Sequence, residues 1–149
     1  MKLKKLNAIK DPDIAMEKYE QSRLIKTKLD YKKWIEYVDS NQDYYTWYEN
    51  TQSGIETKNR IDEVPEDFRD GVIDSLNKMK VCAEYNSKKG WYEIIIDFHI
   101  DYGVIHTTFM KKITKEHLKR LLDMADYLNA YLLNSRKTII DKKVIDELE

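Results

Sequence analysis

The sequence predicts an α+β fold, an antiparallel β-meander packed against one long amphipathic helix. Residues 78–85, 91–100 and 104–112 alternate apolar and polar side chains with the period of two that marks strands covered on one face. The connections between them are short, polar and supplied with Gly90 and Gly103, which suits hairpins and leaves no room for a parallel crossover. Over 115–133 the period then changes, and Leu118, Leu121, Leu122, Ala125, Leu128 and Leu132 line up at helical spacing as the cover for the sheet.

Taken in chain order, Asp11-Pro12-Asp13 reads as a helix start. Asp11 can cap and Pro12 occupies the first helical position, where its missing N–H costs nothing, so a helix is expected over 12–22. Asp30 caps a second helix over 31–38, in which Tyr31, Trp34, Ile35 and Val38 share a face. Residues 44–49 are aromatic and β-branched enough to join the sheet as a strand, and Gly54 marks a turn after them. Pro65 opens a helix over 65–77, with Phe68, Val72 and Leu76 recurring every four positions and Glu66 and Asp67 at the positive end of its dipole. Thr114 caps the long helix, 138–141 supplies a short strand, and 144–148 a last helical turn.

Register follows from keeping the apolar residues on one face, because a slip of one residue would turn them all outward. In the first hairpin this pairs Ala83 with Tyr92, Val81 with Ile94 and Met79 with Ile96; Tyr85 shares their core face, while Cys82 and Glu84 point the other way. In the second it pairs Ile100 with Ile105, Ile96 with Phe109 and Tyr92 with Ile113. On the outer face His99 then stands opposite His106, Asp97 opposite Thr108, Ile95 opposite Met110 and Glu93 opposite Lys112.

Composition bounds the function. A chain of 149 residues is the size of a single domain, 1–149, and 42% hydrophobic residues are enough for a core. The 26 basic and 27 acidic side chains nearly cancel, so nothing draws in a phosphate polymer, and nucleic acid is not expected as a partner. One cysteine, Cys82, builds no disulfide framework and suits a reducing, cytoplasmic setting. The basic start at Met1 is followed by no signal-peptide core, and no window approaches the roughly 20 apolar residues of a membrane span.

No stretch carries a cofactor or catalytic motif, and no cofactor is expected. The sharpest chemical grouping is His99 and His106 with Asp97 or Asp101 as a third ligand on the outer sheet face, two imidazoles and a carboxylate within reach of one metal ion, the basis for a small metal-dependent module or enzyme. The same face carries apolar residues that water would not favour. Trp91, Ile95 and Met110 offer anchors for another protein, with Tyr45, Trp47 and Tyr48 beside them and Glu49, Glu93 and Asp97 as rim charges. Alternatively the aromatic segment 31–48 packs over this face and closes it. The leading expectation is a small protein-binding or inhibitory module, comparable in class to immunity proteins of bacterial toxin systems or phage-encoded inhibitors. A structural homodimer is a third reading.

Overall fold

A computed structural model of the chain describes residues 4–149, so Met1 to Leu3 of the basic start lie outside the described residues. Seven strands form one antiparallel sheet: β1 (Asp13–Ala15), β2 (Thr46–Trp47), β3 (Lys80–Asn86), β4 (Trp91–His99), β5 (Val104–Phe109), β6 (Tyr131–Asn134) and β7 (Thr138–Ile139). Their order across the sheet is β2-β3-β4-β5-β1-β6-β7. The helices are α1 (Tyr31–Asp39), α2 (Gln52–Asn59), α3 (Glu66–Ser75), α4 (Lys115–Tyr127) and α5 (Lys142–Glu147). The class is α+β as the periodicities predict, with the meander β3-β4-β5 lying under α4.

One sheet face forms the main core. Val81, Ala83, Ile94, Ile96, Phe98 and Ile105 meet Leu118, Leu121, Met124 and Ala125 of α4, and beside them Trp34, Tyr37 and Val38 of α1. Tyr45 and Trp47 belong to this cluster too, the Trp47 ring edge-on to Trp34 at 5.4 Å. Segment 31–47 therefore packs on the same side as α4 and does not close the outer face, where only Tyr48 of the expected cover emerges. A helix about 10 Å across covers roughly two strands spaced about 4.8 Å apart, so a seven-stranded sheet under one helix has breadth left over for aromatic side chains. Tyr37 donates to Asp123 at 2.7 Å and ties α1 to α4.

The expected helix over 12–22 is replaced by β1, an inner strand between β5 and β6. Asp11 takes a left-handed conformation (φ 39°), and its carboxylate accepts the Phe109 N–H at 2.8 Å instead of capping a helix. Two ladders and the complete burial of Ile14 outweigh a capping signal worth about 1 kcal/mol. The long helix stops at Tyr127 and does not run on to 133. Asn129 turns left-handed (φ 54°), Ala130 N–H closes on the Ala125 carbonyl, and Leu132 returns in β6. Of the expected strand over 44–49 only Thr46 and Trp47 pair, with Cys82 and Val81. Gly54 sits inside α2, packed so closely on the Tyr48 carbonyl that a Cβ would lie 1.9 Å from its oxygen. The helix expected over 65–77 is present as α3, but none of its residues is buried.

Both hairpin registers differ by two residues from the expected ones, a shift that keeps most faces and changes the partners. Val81 pairs with Ile96 and Ala83 with Ile94; Ile94 pairs with Phe109, Ile95 with Thr108, Asp97 with His106 and His99 with Val104. In the second hairpin, Gly103 (φ 66°) closes the turn by donating to the His99 carbonyl at 2.8 Å. Its own carbonyl accepts Leu29 N–H, and the approach to Lys28 is too close for a Cβ.

Candidate functional site

The outer sheet face divides into three parts. At one end Ala15, Tyr19, Val104 and Leu133 form a second small core, covered by the loop that carries Ile25. At the other end a groove of about 320 Å³ runs between the sheet and α2, with Cys82 and Ile95 in its floor. Between them lies a polar cluster around His106.

The groove owes its wall to a short run of local contacts. Thr51 caps α2 by accepting Gly54 N–H at 3.0 Å and donates its hydroxyl to the Tyr48 carbonyl at 2.6 Å, which sets α2 beside Tyr48. The opposite rim depends on Glu84. This residue is left-handed (φ 57°) and is skipped in the ladder between Ala83-Ile94 and Tyr85-Tyr92. Beyond it Tyr85 and Tyr92 line the same groove as Cys82 and Ile95, their rings 5.1 Å apart and inclined at 64°. The rim thus exposes Tyr85 (57%), Trp91 (46%) and Met110 (53%), three large apolar side chains within one concave surface. Lys80 sits over the Tyr48 ring at 5.0 Å and Lys89 over Trp91 at 5.5 Å, so ammonium groups border the aromatic surface. Burial pushes the Cys82 thiol up to about 12, and an un-ionised thiol is no nucleophile.

Glu84 itself turns to the helix side. Its carboxylate accepts from the Tyr44 hydroxyl, from His117 Nε2 at 2.7 Å and from Lys111 Nζ at 2.7 Å. His117 Nδ1 accepts Thr114 N–H at 3.0 Å, which leaves the ring proton on Nε2, facing Glu84. Burial raises the Glu84 pKa, but the hydrogen bonds from Lys111 and Tyr44 and the nearby His117 outweigh it and hold the carboxyl at about 2. Arg120 stacks on the Tyr44 ring at 3.9 Å and closes this anchor from α4.

In the polar cluster His99 and His106 do not face each other across the hairpin; they meet diagonally, their rings edge-on at 4.5 Å. The residue opposite His106 in β4 is Asp97, and in β1 it is Asp13. Asp13 is nearly buried and holds His106 Nδ1 at 2.7 Å and the Tyr19 hydroxyl at 2.9 Å. Burial and the adjacent His106 push the His99 pKa below its ordinary value. With one His106 nitrogen committed to Asp13, the expected His99, His106 and Asp97 set is not assembled. Among the described residues no group of three or more His, Cys, Asp or Glu side chains could hold a metal ion.

Of the residues expected to bind a partner, Trp91, Ile95, Met110 and Tyr48 share the groove. Tyr45 and Trp47 are 2% and 3% exposed in the main core, with Trp47 Nε1 donating to Asp39 at 2.9 Å. Neither is accessible to a partner. Glu49 accepts Lys78 N–H at 2.7 Å, and buried Glu93 accepts from Asn86 Nδ2 at 2.5 Å, so both act within the fold and not as open rim charges. Asp97 lies 4.0 Å from Lys80. Tyr85, Tyr92 and the whole of α2 were not foreseen: α2 has almost no apolar face to read, and alternation alone placed both tyrosines in the core. No helix among the described residues is long and apolar enough to cross a membrane. No protein-family model, no curated protein and no solved structure matches the chain.

Proposed function

We propose that this chain is a protein-binding module that receives an apolar side chain of its partner in the groove between the outer sheet face and α2. The supporting observation is the exposure of Tyr85, Trp91 and Met110 around one concavity with Ile95 beneath. Tyr and Trp at the centre of a concave patch are the side chains that dominate binding energy when a partner excludes water from them. Lys80 and Lys89 border the patch and favour an acidic or carbonyl-rich rim on the partner. In the inhibitory form of this reading the partner is an enzyme whose activity falls as the groove fills.

The test is affinity capture with the full chain, followed by reconstitution of the recovered partner from purified components. Trp91→Ala should weaken that complex by about 30-fold or more, the cost of about 2 kcal/mol expected for a central aromatic anchor. Trp91 is half exposed, so the variant should fold, which circular dichroism would verify. If folded Trp91→Ala and Met110→Ser proteins bind every recovered partner as tightly as the parent, the groove is not the binding surface.

A further inference from the structure

The segment 49–77 stands apart from the rest of the chain in charge and in packing. It holds eight acidic and three basic residues, a net of −5 in a chain whose total is −1, so the remainder is net basic. Within it α3 buries no residue. Phe68 is 68% exposed and Ile73 46%. Glu66, Asp70 and Asp74 recur every four residues on one side of α3, with Asp67 beside them, and none of the four has an ion-pair partner among the described residues. An amphipathic helix with Phe68 and Ile73 exposed and its acids uncompensated offers one half of a contact.

The other half is present on the same chain. A cleft of about 280 Å³ lies where the segment before β1 meets the end of β5 and the residues after it, lined by Ile9, Phe109 and Ile113 together with the exposed Lys10 and Lys112. The third lysine there, Lys111, is engaged by Glu84; the Asp11 carboxylate accepts the Phe109 N–H and keeps its charge, so Lys10 and Lys112 against Asp11 leave the opening net positive. The arm containing α3 leaves the sheet between β2 and β3, whereas the cleft opens beside β5 and β1, so the two belong to different parts of the sheet.

We propose that α3 of one copy docks in this cleft of a second copy, with Phe68 entering between Phe109 and Ile113 and the carboxylates of Asp70 and Asp74 facing Lys10 and Lys112. Apolar insertion supplies the contact, and opposite charges fix its polarity and make it sensitive to salt. Reciprocal docking of two arms in two clefts repeats the same contact about a two-fold axis and closes a dimer.

Light scattering and sedimentation on the full chain test this. The mass should rise above 17.9 kDa as concentration increases at low ionic strength and return to that value in high salt. Phe68→Glu should stay monomeric, and because Phe68 contributes nothing to the core, that variant should fold. Asp70→Lys with Asp74→Lys, and separately Lys10→Glu with Lys112→Glu, should each be monomeric, while an equal mixture of the two should associate. Trp91→Ala should associate like the parent, which separates this contact from the groove. A parent chain that is monomeric at every concentration overturns the proposal. So does association that survives Phe68→Glu, or a charge-reversed mixture that stays monomeric.

Discussion

Glu84 concentrates more of the structure than any other single side chain. Its left-handed backbone rotates Tyr85 out to the groove while its carboxylate joins β3 to the start of α4 through His117, to Lys111, and to Tyr44. Removing the charge strands the tyrosine and histidine donors, and Glu84→Gln should cost about 1–3 kcal/mol at neutral pH, read from the urea midpoint. A carboxyl held from the ordinary 4.5 down to about 2 contributes stability that is complete above the ordinary value and is lost as pH falls through the lower one. The parent should therefore lose its advantage over Glu84→Gln between about pH 4.5 and 2, where the two proteins converge. Gly103 makes a different demand. A side chain there would need φ 66° and would meet the Lys28 backbone, so Gly103→Ala should cost at least about 2 kcal/mol, with the urea m-value unchanged. The need for Gly103 was legible, because a tight hairpin asks for positive φ. The conformation of Glu84 was not, since nothing in a Glu between Ala83 and Tyr85 announces it.

At the scale of elements, local periodicity found β3, β4, β5, α1 and the start of α4, all of which are long enough to repeat their pattern. It failed on β1, where three residues are too few to show a period and Asp11-Pro12 imitates a helix start. Strand β1 exists because β5 and β6 leave a place for it, a fact about residues more than 90 positions away. It failed in the opposite sense on α3, whose period is clear but whose apolar face contributes no buried residue. These two elements should exchange amide hydrogens at opposite extremes. Ile14 should be protected as strongly as the centre of β5, and α3 should exchange fast, because its bonds open without exposing core. Hydrogen exchange followed by NMR would check both, and a slowly exchanging α3 in a monomeric sample would mean that the arm is held against the rest of the chain.

For the molecule as a whole, one sheet separates two unlike faces. The helix face is covered by α4 and α1, and Tyr45 and Trp47, expected from sequence as binding anchors, are committed to packing there. The outer face is sealed at one end by the loop over Ala15 and Val104 and left open at the other beside α2. Composition could not distinguish these positions, because Trp47 and Trp91 look alike until strand pairing puts one on each face. Pairing depended in turn on two turns, each shifting its hairpin by two residues, enough to exchange a His-His facing pair for Asp97 against His106. The groove is thus a property of register and of the unusual backbone at Glu84, more than of any motif.

The insertion of β1 between β5 and β6 also sets an order of events while the chain is being made. Its first hydrogen-bonding neighbour lies 93 residues downstream, at His106. At about 5 to 20 residues per second, Ile14 would wait roughly 5 to 20 s after synthesis before any ladder could receive it. Through that interval the segment from Asp11 to Tyr19 has no sheet to join, and its helix-start residues have no competitor.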